Sequence, residues 1–252
     1  MKISNPFYPF IILLTILITL IYIYGYFDRY FILVVSNILF PILALLCSLT
    51  ALHLTRRYGL KSTLGILFFI FFTGLFLWFI GELAWTLYVL WFSIEIPFPS
   101  IADVFYLAGY IPLFMGLFIY LNIFKIALSK RIVLCSFLAG FIVATVAGFY
   151  IIPEAFFSSV DVITAFLSTA YPLLDTILIV VALMTLSVFI GGKLQTSWLM
   201  ISIGFIFIGI AELTYYHADL IGILWEGHPL ELLYLYSYIY LTIAFYEHVK
   251  TI

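Results

Sequence analysis

Runs of about 20 apolar residues, broken by only a few polar ones, recur along this chain and leave it little choice of fold. Eight can be placed, at 6–27, 31–54, 63–90, 103–124, 132–152, 167–190, 196–217 and 231–248. A run of that length crosses the hydrocarbon layer of a bilayer as a helix, because only a helix satisfies its own backbone there. Composition closes the alternative. With 66% apolar residues, 9% charged ones and a mean hydropathy of +1.28, a soluble domain would have to expose what it cannot bury. The expected fold is all-α, a polytopic membrane helical bundle of about eight transmembrane helices in one membrane domain, residues 1–252. The net charge of −2 and the lack of a basic tract exclude nucleic acid as a partner.

Lys and Arg set the orientation. Under this threading Lys2, Arg56, Arg57, Lys61, Lys125, Lys130, Arg131, Lys193 and Lys250 fall on one side, and only Arg29 on the other. Both termini are therefore expected in the cytoplasm of a multi-pass cell-membrane protein. Glu95, Glu154, Asp161 and Glu226 then face outward, with Trp85, Trp91 and Trp225 as interfacial anchors. The first run lacks a short apolar core followed by a small-residue cleavage site, and reads as a retained span. Cys47 and Cys135 lie in apolar runs and read as packing residues.

The chain also resembles itself. "GLFLWFIGELAW" (74–85) aligns with "GFIFIGIAELTY" (204–215) at an offset of 130. "DVFYLAGY" (103–110) aligns with "ELLYLYSY" (231–238) at 128, and "FPILA" (40–44) with "YPLLD" (171–175) at 131. Two tandem four-helix repeats, about 1–126 and 127–252, are the expected organisation. Four spans is an even number, so both repeats insert the same way up, around a pseudo-two-fold along the membrane normal.

Glu82 and Asp103 recur as Glu212 and Glu231, so these carboxylates are not a local accident. All four belong to the outer leaflet or its edge, and Asp175, following Pro172, is the deepest of the outer acids. Tyr106, Tyr110, Tyr171, Tyr234, Tyr238, Trp85 and His217 accompany them. Ionisable groups within spans are expensive, so a ligand-binding pocket for a small ligand, a cation or a proton is one reading. The other is structural: acids at helix starts cap free N–H groups, and carboxylates accept bonds from tyrosine to hold helices together. Asp103 and Glu231 fit that second role better than Glu82, Asp175 and Glu212 do. "PFPS" before Asp103 reads as a rigid loop whose Ser caps the next helix, and Pro41 and Pro172 are expected to free a carbonyl each.

No hydrolase, zincin, phosphate-loop or haem spacing is present, so no catalytic residue, metal or cofactor is assigned. At "GELAW", "PFPSIADVFYLAGY", "YPLLD", "AELTYYHADL" and "ELLYLYSY" the chain resembles the multi-pass amino-terminal membrane module of archaeal and bacterial signalling proteins, namely sensor histidine kinases and diguanylate cyclases. The resemblance implies a sensory role and a cytoplasmic carboxyl end to which an output domain would attach. No output domain follows "YEHVKTI", so the signal is expected to pass to a protein partner at the cytoplasmic face or within the bilayer; a homo-oligomer stays open. A receptor-like module is the expected function, with a small transporter or channel, or an intramembrane enzyme, as alternatives.

Overall fold

A computed structural model describes residues 7–123, 130–158, 161–189 and 195–250. Lys2, Lys125 and Lys193 of the orientation argument lie outside the described residues. Every described element is helical. In chain order these are α1 (Phe7–Gly25), α2 (Arg29–Tyr58), α3 (Thr63–Thr86), α4 (Ile101–Ile123), α5 (Lys130–Val146), α6 (Ile152–Ser158), α7 (Val162–Phe189), α8 (Gln195–Leu220) and α9 (Leu232–Lys250). Two π-helical segments, Leu87–Phe92 and Ala147–Ile151, continue α3 and α5.

Among the described residues, six helical stretches are long and apolar enough to cross a membrane: Arg29–Tyr58, Thr63–Phe92, Ile101–Ile123, Val133–Glu154, Val162–Leu186 and Ser197–Leu220. The expected first and last spans do not reach that standard. The apolar part of α1 is the shorter stretch Pro9–Gly25. α9 reads LLYLYSYIYLTIAFYEHVK, and its five tyrosines and polar carboxyl end lower its hydropathy.

Six of the helices close into a ring. α2 packs on α3, α3 on α4, α4 on α7, α7 on α8, α8 on α9, and α9 back on α2. α1 lies outside the ring against α2 and α9, and α5 lies outside against α7. Two close approaches shape the ring. A Cβ on Gly74 would stand 2.6 Å from Leu113 Cγ, and one on Gly204 would stand 2.6 Å from Leu241 Cγ. Glycine there lets α4 nest against α3, and α9 against α8.

The core fills one end of the ring with aromatic side chains. Phe68 and Phe71 of α3 meet Trp198 and Phe205 of α8 at centroid distances of 5.7 Å and 5.4 Å, with Phe245 of α9 beside them. These residues are buried. Tyr58 and His248 hydrogen-bond at 2.8 Å across the α2–α9 junction at the same end. Large apolar side chains such as Leu17, Leu46, Phe69, Met115 and Phe141 face outward, the distribution that lipid solvates.

Candidate functional site

Above the aromatic plug the ring opens into a cavity of about 610 Å³. Phe71 and Glu82 are 11 residues apart on α3, so plug and cavity floor are separated by about 16 Å. Eight of the protein's twelve carboxylates line this one cavity: Glu82, Glu95, Asp103, Asp175, Glu212, Asp219, Glu226 and Glu231. No Lys, Arg or His is in its described wall. Aromatic side chains, among them Trp85, Tyr106, Tyr171 and Tyr234, make up half of the rest.

The carboxylates divide by how the protein satisfies them. Toward the mouth, Asp103, Glu226 and Glu231 have donors on both oxygens. Asp103 is the third residue of α4 and forms a capping box with Ser100: its Oδ2 accepts from Ser100 N at 2.6 Å and from Ser100 Oγ at 2.9 Å, while Ser100 Oγ accepts from Ala102 N at 3.2 Å. Its Oδ1 accepts from Tyr171 Oη at 2.7 Å. Glu231 accepts from Gly227 N at 2.7 Å and Tyr22 Oη at 2.8 Å, which ties α1 to the ring. Glu226 accepts from Trp85 Nε1 at 3.2 Å and Asn37 Nδ2 at 3.0 Å, and burial pushes its carboxyl above the usual range.

Deeper in, the supply of donors runs short. Glu82 accepts from Tyr238 Oη at 3.3 Å across the ring. Tyr106 stands beside it, admitted by Gly81, whose Cβ would meet that ring at 2.6 Å. Glu212 accepts one bond, from Tyr234 Oη at 2.9 Å to Oε2. Asp175 is only 1% exposed and accepts one bond, from Tyr110 to Oδ1. Asp175 and Glu212 are close enough to interact electrostatically, and Glu212 likewise feels Glu82. Asp175 Oδ2 and Glu212 Oε1 have no donor among the described residues.

Of the twelve side chains read from sequence, Glu82, Asp103, Asp175, Glu212, Glu231, Tyr106, Tyr171, Tyr234 and Trp85 line the cavity together. Tyr110 and Tyr238 are buried behind the wall and reach it through their bonds to Asp175 and Glu82. His217 is not in the wall, and its Nδ1 is buried without a hydrogen-bond partner. Sequence reasoning missed Tyr22 and Asn37, which hold Glu231 and Glu226 from distant helices. No local motif marks either residue. It also left Glu95 and Glu226 as outward-facing acids, and Trp225 as an anchor. Trp225 lines the cavity and carries the Arg29 guanidinium 3.2 Å from its ring centroid.

Among the described residues, no group of three or more His, Cys, Asp or Glu is placed to hold a metal ion. No family model, curated protein or solved structure matches the chain.

Proposed function

We propose that this chain is a receptor-like membrane module, with a pocket at its outer end that takes a small ligand of positive charge and signals through a partner. The observation that carries this reading is the cavity itself. It gathers eight of twelve carboxylates with no basic residue in its described wall, at the end opposite an aromatic plug. Buried carboxyl groups without a counter-charge are costly unless a proton or a bound cation neutralises them, and ionisable groups placed so mark a functional site by default.

We also read the bundle as eight spans in two tandem halves of one orientation, with both termini cytoplasmic. Support comes from matched contacts: Gly74 nests on Leu113 as Gly204 does on Leu241, and Glu82 lies beside Tyr106 as Glu212 lies beside Tyr234. The junctions agree too, since exchanging the halves carries α2–α9 onto α7–α4. α1 and α9 would cross as marginal spans, with Tyr234 and Tyr238 of α9 turned toward the cavity acids and Tyr236 toward α1.

A transporter is the runner-up. Polar groups at the plug end, such as the Thr185–Ser202 pair at 2.8 Å, could serve a path, but Phe71 and Phe205 stand between them and the cavity. The test is native mass spectrometry of the protein in nanodiscs. A low-mass species should co-purify with the wild type and be lost from Asp175→Asn. If both proteins are empty and melt alike with any added cation, the pocket reading falls.

A further inference from the structure

The spare oxygens in the deep half of the cavity specify more than positive charge. Resting on the pocket reading above, we propose that the ligand is a small organic ammonium ion bearing N–H groups, a protonated primary or secondary amine on an apolar body. Three observations converge. Asp175 Oδ2 and Glu212 Oε1 are acceptors with no donor among the described residues, and both side chains line the cavity, so a molecule that occupies it can supply one. A quaternary ammonium supplies charge but no hydrogen. A bare metal ion supplies neither hydrogen nor bulk: among the described residues no three ligating side chains converge, and about 610 Å³ far exceeds an ion.

The remaining wall suits the rest of such a molecule. Tyr106, Tyr215, Trp85 and Phe40 line the cavity. Aromatic faces attract a cation through their quadrupole and give an apolar chain a surface to bury. The volume lies within the usual range for small-molecule sites.

The two ends of the cavity then have separate jobs. At the mouth, Asp103, Glu226 and Glu231 are saturated by protein donors and hold the walls in place. At the floor, Asp175 and Glu212 face the ligand. Asp175 aligns with Ala44 of the other half, so the site is lopsided and would hold one ammonium group against the α7–α8 side.

The experiment is calorimetric titration of the nanodisc protein with phenethylamine and hexylamine, tetramethylammonium, 2-phenylethanol, and calcium and sodium chlorides. At least one primary amine should bind, more tightly than tetramethylammonium, while 2-phenylethanol should not. Asp175→Asn and, independently, Glu212→Gln should each weaken amine binding at least tenfold while melting within a few degrees of wild type; Glu154→Gln, an exposed change outside the cavity, should bind normally. Two variants guard against one of them misfolding. Binding of calcium or sodium without any amine would overturn the ammonium assignment and leave the pocket reading standing. Equal binding of 2-phenylethanol, or amine binding indifferent to both variants, would also overturn it. Binding of nothing would remove the pocket and the assignment together.

Discussion

Pro41 has no amide hydrogen, so the carbonyl of Asn37 one turn earlier loses its helical donor. Thr86, on α3, supplies the replacement: its hydroxyl donates to Asn37 O at 2.7 Å and to Glu82 O at 2.9 Å. The Asn37 side chain meanwhile donates to Glu226 at 3.0 Å, so one proline sets up a clasp between two ring helices at the cavity wall. Thr86→Val keeps the shape and removes the donor, which should cost about 1 kcal/mol. Pro41→Ala restores an amide to the Asn37 carbonyl, so in the double variant that cost should shrink. A thermal-melt double-mutant cycle with no coupling would show that the clasp is incidental. The prolines were legible in the sequence, and so was the division between helix-start acids and deeper ones. The donors were not, because Thr86, Tyr22 and Asn37 reach their acceptors from other helices, at separations no local pattern encodes.

At the scale of elements, the nesting of α4 on α3 and of α9 on α8 depends on Gly74 and Gly204. Alanine at either gains helix propensity, about 1 kcal/mol, but its Cβ would have to displace a leucine from 2.6 Å. At Gly204 only the Leu241 side chain is in the way, whereas at Gly74 the backbone carbonyl of Gly109 also stands 3.0 Å off and cannot swing aside. Gly74→Ala should therefore destabilise by roughly 1–3 kcal/mol and Gly204→Ala by less. Gly148→Ala, with open space around it, serves as the neutral control. Melting temperatures in detergent decide it, and a Gly74→Ala protein as stable as wild type would mean the helices can part without loss. The offset near 130 already pairs Gly74 with Gly204 in the sequence. α9 was harder, since a helix that turns tyrosines to a polar cavity carries a weaker apolar signal than one surrounded by lipid and core. The π-helical continuation of α3 to Phe92 and the short α6 depend on local hydrogen-bond registers that apolar periodicity does not record.

Taken whole, the molecule is apolar outside and acidic at one end of its interior, so the direction in which that end points decides what it can meet. Arg56, Arg57, Lys61, Lys130 and Arg131 sit at the end opposite the cavity mouth, where Glu95 and Asp219 are exposed. Positive residues flanking spans tend to stay in the cytoplasm, so the orientation proposed above turns the mouth outward. Labelling single cysteines in intact cells tests this, after Cys47 and Cys135 have been replaced; Cys47 is buried but Cys135 is exposed. Glu95→Cys and Glu154→Cys, both exposed and both at the mouth end, should react with a membrane-impermeant maleimide from outside. Lys61→Cys and Lys130→Cys should react only after permeabilisation. Full reversal would leave the cavity geometry intact but open it to the cytoplasm, and a receptor for external ligands would be lost with it. If Glu95→Cys and Glu154→Cys instead labelled from opposite sides, an odd number of crossings would separate them. α4 and the α5–α6 run could not then both span, and the two halves could not share one orientation.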